Sequence, residues 1–227
     1  MPRGPASQGH CAYCEQEVSS SGIVKHLRTC AQRLAALEKA EKKEGRSETL
    51  YHLRVQDKYN KEFWLDLEMR GSAKLKDLDH YLRAIWLECC GHLSQFSSDG
   101  WRGKEFAMTR RAEEVFEPRT ALTHIYDFGT SSETLIQAVE AREGKPTTRH
   151  PIALMARNAM PKEQCMKCKK TAQWLCMECL IEEDKSGVLC EEHVEEHEHD
   201  NYGDPVPLVN SPRVGMCGYE GPADPPY

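Results

Sequence analysis

The chain has 227 residues, of which 39% are hydrophobic, 7% aromatic and 29% charged, with a formal charge of −6. That composition is thin for one large core and suits a modest core flanked by small modules. No run approaches the roughly eighteen apolar residues of a membrane-spanning helix. The start, MPRGPASQGHCAYC, lacks the apolar region of a secretory signal, so the chain is expected to be cytoplasmic.

Eleven cysteines in a reducing compartment point to metal rather than disulfides. Three lie at 11, 14 and 30 and six between 165 and 217, leaving only Cys89 and Cys90 between. Charge is uneven too. Residues 1–46 hold eight Lys/Arg against five Asp/Glu, whereas residues 157–227 hold seven against fourteen.

Residues 1–46 contain Cys11-x2-Cys14-x11-His26-x3-Cys30. Two thiols at a knuckle, followed by His and Cys four apart on a helix, supply the four tetrahedral ligands that zinc prefers. Val18 and Ile23 fall where a small finger needs apolar contacts. The pattern resembles a classical zinc finger with Cys as its last ligand. In that resemblance the base-reading positions hold Ser19, Gly22 and Lys25, and glycine reaches no base edge. Lys25 and Arg28 are candidates for phosphate contact, and a protein-contact role competes with nucleic acid. The helix is expected to continue through Ala31–Lys43, with Leu34 and Leu37 as a thin apolar stripe, and to end at Gly45.

Residues 47–148 read as an α+β domain. Tyr51, Leu53 and Val55 alternate with polar residues, as do Phe63, Leu65, Leu67 and Met69, and the intervening DKYNK suits a hairpin turn. Leu75, Leu78, Leu82, Ile85, Trp86 and Cys89 then recur at helical spacing, with Cys89 and Cys90 expected to be buried packing at the helix end. FAMTR, THIYDFG and ETLIQAVEA are further expected strands. Leu75, Leu78, Asp79, Leu82, Ile85 and Trp86, then His92, Leu93 and Phe96, then Tyr126, Asp127, Phe128 and Gly129, resemble the plasmid pRiA4b ORF-3-like family over roughly residues 48–145. Many members follow the last element with Asp and Trp, where this chain has Thr130, Ser131 and Ser132. The resemblance implies an α+β domain, often joined to zinc-binding modules, and no particular reaction. The segment carries no phosphate-cradling glycine loop, nucleophile elbow or His-Glu-x-x-His helix. A non-enzymatic role is therefore expected, with His92, His124, Asp127 and Asp99 as the candidates should catalysis occur.

Residues 149–164 have prolines near both ends and are expected to be a linker. Residues 165–227 hold Cys165-x2-Cys168, Cys176-x2-Cys179, Cys190-x2-His193 and His197-x-His199. Eight ligands in four pairs are the count for two zinc ions, and a single site of Cys165, Cys168, Cys176 and Cys179 is the competing geometry. The pattern resembles a B-box zinc finger. That resemblance implies a cross-brace, with Cys165, Cys168, Cys190 and His193 on one ion and Cys176, Cys179, His197 and His199 on the other. Cys217 stands as an alternative to His199. The Pro/Gly-rich tail adds Arg213 and Cys217, either as part of a pinned loop or as the lining of a recognition groove.

Three zinc ions are thus expected, all structural, since four protein ligands per ion leave no position for water. The leading functional expectation is an interaction or adaptor protein with a protein partner. The alternative is a nucleic-acid-associated protein of mobile-element context, acting through the basic finger.

Overall fold

Strand residues point alternately to opposite faces of a sheet, and here both faces are covered, each by a different part of the chain. The computed structural model describes residues 7–199 and 201–227. The N-terminal part forms strands β1 (Gln8–Cys11) and β2 (Glu17–Ser19) and helices α1 (Ile23–Thr29) and α2 (Ala31–Glu41). The centre adds β3 (Glu48–Asp57), β4 (Trp64–Arg70), α3 (Leu75–Leu82), β5 (Ser94–Ser97), β6 (Glu105–Phe106), β7 (Ala121–Tyr126), β8 (Ser132–Gly144) and β9 (Ile152–Asn158). The C-terminal part forms β10 (Trp174–Leu175), α4 (Met177–Ile181), β11 (Val188–Leu189), α5 (Glu191–Glu195) and β12 (Val206–Pro207).

The first nine strands make one antiparallel sheet in the order β2-β1-β9-β4-β3-β8-β7-β5-β6, and the last three make a small sheet in the order β11-β10-β12. The fold is therefore α+β. As expected from the alternation, β3 and β4 pair as a hairpin, with Leu53 opposite Leu67 and Val55 opposite Leu65. Tyr51, Leu53, Val55, Phe63, Leu65, Leu67 and Met69 enter one core, closed by Leu75, Leu78, Leu82, Ile85 and Trp86. Each such fully buried side chain contributes about 1.5–3 kcal/mol. Helix α3 starts where the Asp77 carboxylate accepts the Lys74 N–H at 2.7 Å, and it ends in a single π-type turn, Arg83–Leu87.

The opposite face is polar in sequence yet equally buried. His52, Asp66 and Glu68 are at most 5% exposed. They are paired with one another and with basic side chains: His52 Nε2 lies 2.6 Å from Asp66, Arg54 3.0 Å from Asp66, and Arg142 2.9 Å from Glu68. Arg33 of α2 reaches the same Glu68 at 3.7 Å, and Arg28 of α1 meets Glu140 of β8 at 2.9 Å. Trp64 joins Ile23, Leu27, Met155 and Ala156 in a second core beneath the finger. The N-terminal helices thus lie over the sheet.

Three sequence expectations are corrected. The expected linker 149–164 contains β9, which pairs with β4 on one side and with β1 on the other. IALMARN lacks a two-residue alternation because helices and cores cover both of its faces. The expected strand over FAMTR is reduced to Glu105–Phe106, after which the chain turns. The expected continuous helix is two helices, since Cys30 adopts extended ψ 114 between α1 and α2.

Candidate metal centres

The β1–β2 hairpin and α1 bring Cys11, Cys14, His26 and Cys30 together. Cys11 ends β1, where the Glu15 N–H donates to its carbonyl at 2.8 Å, and the tight turn aims Cys14 the same way. Helix α1 presents His26, and the break after it turns the Cys30 thiol inward. Cys14 Sγ lies 3.4 Å from His26 Nε2, and Cys11 Sγ 3.9 Å from Cys30 Sγ. With zinc–sulfur bonds near 2.3 Å and zinc–nitrogen bonds near 2.0 Å, tetrahedral ligands stand about 3.5–3.8 Å apart. The spacing fits that ion. Burial pushes the Cys11 thiol up to about 11, against backbone N–H groups of Tyr13 and Cys14 that favour its thiolate. Burial also opposes ionisation of Cys30, but N–H groups at the start of α2 and the neighbouring thiols outweigh it and hold its pKa below the usual value.

The C-terminal ligands separate into two groups by alternate pairs. Cys165, Cys168, Cys190 and His193 form one, and Cys176, Cys179, His197 and His199 the other. In the first, Cys168 Sγ lies 3.8 Å from Cys190 Sγ and Cys165 Sγ 3.5 Å from His193 Nδ1. In the second, Cys179 Sγ lies 3.5 Å from His197 Nε2 and Cys176 Sγ 3.7 Å from His199 Nδ1. Strand β11 delivers Cys190 to the first knuckle, because Met166 N–H donates to the Val188 carbonyl at 2.9 Å. The Cys179 N–H in turn donates to Cys176 Sγ at 3.4 Å. Burial opposes the Cys165 thiolate, but the N–H groups of Lys167, Cys190 and Cys168 draw its pKa down to about 6. Burial and the Glu183 carboxylate push the Cys179 thiol up to about 12. A single site of Cys165, Cys168, Cys176 and Cys179 does not form.

His199 therefore stands with the second C-terminal group, and Cys217 lies elsewhere. It joins Cys89, Cys90 and His92 in a fourth cluster, whose ligand atoms all fall within 4.8 Å of one another. Cys89 and Cys90 were expected as buried packing, but Cys90 is exposed and Cys89 half-buried. The Cys-Cys-x-His run carried no ligand spacing of its own, and Cys217, offered as an alternative to His199, lies 125 residues beyond His92 in the chain. Arg213, read from sequence either as part of a pinned loop or as the lining of a groove, is wholly buried and lines no open surface. Its guanidinium donates to Asp127 at 2.7 Å, to the Thr130 carbonyl at 3.0 Å and to Ser132 Oγ at 2.9 Å.

The remaining polar candidates do not converge. His124 is buried and bonded to Asp79 at 2.8 Å, His92 lies 3.5 Å from Asp127, and Asp99 sits in an exposed turn. Four Cys/His clusters among the described residues can thus hold a metal ion. Among the described residues, no helix is long and apolar enough to cross a membrane.

No family model matches the chain, and no curated protein matches it. Among solved structures it is similar to a protein of unknown function, MM3350 from Methanosarcina mazei Go1, at 17% identity and a TM-score of 0.40. The match covers 46% of this chain and 66% of that one.

Proposed function

We propose that this chain is a zinc-binding interaction protein, in which zinc holds the finger and the C-terminal cross-brace in shape. The observation that carries the reading is the interleaving of ligand pairs, with Cys168 3.8 Å from Cys190 and Cys179 3.5 Å from His197. Four protein ligands at tetrahedral spacing leave no place for a reacting water, so each ion serves folding rather than reaction. The small C-terminal sheet has three strands, two residues each in length, too little to hold itself together without ions.

A protein partner is favoured over nucleic acid by the acidic C-terminal part and by the few free bases on α1, although Lys39, Lys42, Lys43 and Arg46 stand exposed at and beyond the end of α2. Arg28 is bound to Glu140, and Arg33 is buried against Glu68 and the Leu27 carbonyl, which leaves Lys25 exposed on α1. The acidic C-terminal part repels phosphate. The central domain is proposed to be of the pRiA4b ORF-3-like family, on the residues from Leu75 to Trp86 and Tyr126 to Gly129.

The test is chelation of the purified full chain, followed by circular dichroism and capture on immobilised protein with and without zinc. Loss of the C-terminal fold on chelation, with a partner retained only by the zinc-loaded chain, is the expected result. A metal-free chain that keeps its fold overturns the structural role of zinc. Retardation of DNA or RNA at low salt, with no protein captured, overturns the choice of partner.

A further inference from the structure

We infer that Cys89, Cys90, His92 and Cys217 form a fourth metal site, for zinc or a similarly thiophilic divalent cation, which latches the C-terminal segment onto the central sheet. The site goes beyond the three ions of the proposed function and does not depend on them.

Two separate pieces of chain converge here, and each is shaped for it. After the π-type turn the chain becomes extended at Glu88, whose carboxylate accepts the Gly91 N–H at 2.6 Å and the Tyr126 hydroxyl at 3.0 Å. That closed turn sets Cys89 Sγ 3.6 Å from Cys90 Sγ and brings His92 Nε2 to Cys90 Sγ at 2.9 Å. The tail supplies the last sulfur. Cys217 has φ 51, a left-handed conformation that costs a non-glycine residue about 1–2 kcal/mol. It is flanked by Gly215 at φ 80 and Gly218 at φ 67. Backbone strain that survives in a fold marks a position the surroundings require.

Three sulfurs and one imidazole are the donor set of a structural zinc site. The adjacent sulfurs stand apart at 3.6 Å, about the edge of a tetrahedron rather than a disulfide bond. The surroundings supply the outer contacts such a site uses. Arg213 Nη2 lies 3.8 Å from Cys217 Sγ, and the Tyr126 hydroxyl lies 3.7 Å from Cys89 Sγ.

The consequence is mechanical. Asn210 is bonded to Asn158 of β9 at 2.7 Å, and Ser211 donates to the Trp86 carbonyl at 2.6 Å. An ion at Cys217 closes that strap at its far end. Since β12 lies only a few residues before Asn210, the ion also fixes the two-ion module against the sheet. Cys90 and Cys217 are exposed, so this ion exchanges with solvent more readily than those on buried sulfurs.

The experiment is native mass spectrometry of the zinc-loaded full chain beside Cys217→Ser and Cys90→Ala, with limited proteolysis of the same samples. We expect four ions on the parent chain and three on each variant, with faster cleavage between Ser211 and Tyr219. Cys90 is exposed, so its alanine variant reports even where the serine variant folds poorly. Equal ion counts for parent and variants overturn the fourth site, whatever the total. Loss of the other three ions on chelation without unfolding would instead count against the structural reading of zinc and leave this difference intact.

Discussion

Arg213 and Asp127 are 86 residues apart in the chain and meet at 2.7 Å in the interior. The pair joins the tail to the end of β7, and the Arg213 guanidinium also stacks over the Tyr126 ring at 4.9 Å. Burial opposes ionisation of Asp127, yet Arg213 and the Gly129 N–H hold its carboxyl below the usual range. Removing the arginine leaves a buried carboxylate without its cation. Arg213→Ala is expected to cost about 3–5 kcal/mol. Urea denaturation of the zinc-loaded chain measures it, and a loss below about 1 kcal/mol contradicts the role given to the pair.

The finger is attached to the sheet through a close contact at Gly9. A Cβ there meets the Arg157 carbonyl and the Trp64 indole, neither of which can withdraw, because β9 and the second core hold them. Gly9→Ala is expected to destabilise the chain by about 1–3 kcal/mol. It should also raise hydrogen exchange at β1 while β3 and β8 stay protected. Uniform exchange across the sheet would mean that the finger is not a separate layer.

How much of this was readable depends on what each face of a strand touches. The hairpin of β3 and β4 and the helix after it were legible, because one face repeats Leu53, Val55, Leu65 and Leu67 at a period of two. The second buried face was not. His52, Asp66 and Glu68 are residues that sequence assigns to solvent, and only the pairing of His52 with Asp66 and of the carboxylates with Arg54 and Arg142 allows them inside. The same holds for β9, whose partners lie far away in the chain. The finger's ligands and the four C-terminal pairs were legible because knuckle spacing is local, whereas which of those pairs share an ion was only implied by the B-box resemblance. The fourth cluster was not legible, since Cys217 comes from the far end of the chain and joins a Cys-Cys-x-His run that lacks the usual gap.

Asp79 links helix α3 to the sheet. Its carboxylate accepts from His124 Nε2 at 2.8 Å, Ser94 Oγ at 2.6 Å and Arg83 Nε at 2.9 Å. Burial raises its pKa, but His124, Ser94 and Arg83 outweigh that and leave it lowered. A carboxyl whose folded pKa is depressed stabilises fully above its unfolded pKa and loses that contribution as pH falls through the folded one. Asp79→Asn is expected to cost about 2 kcal/mol near neutrality. The gap to the parent chain should narrow as pH falls below about 4, where first the unfolded carboxyl and then the folded one take up a proton. A gap that stays constant down to about pH 2 contradicts an ionised Asp79.

The cross-brace makes a prediction about pairs that no single substitution can make. Cys168 and Cys190 belong to one ligand group and Cys179 to the other. Each alanine variant alone should lose one ion in native mass spectra. The double variant Cys168→Ala with Cys190→Ala should also lose one, because both sulfurs serve the same ion. Cys168→Ala with Cys179→Ala should lose two. Consecutive pairing, with Cys165, Cys168, Cys176 and Cys179 on one ion, demands the reverse: two ions lost in the first double variant and one in the second. Non-additivity therefore identifies which sulfurs share a metal, since sites that share a partner do not add and independent sites do.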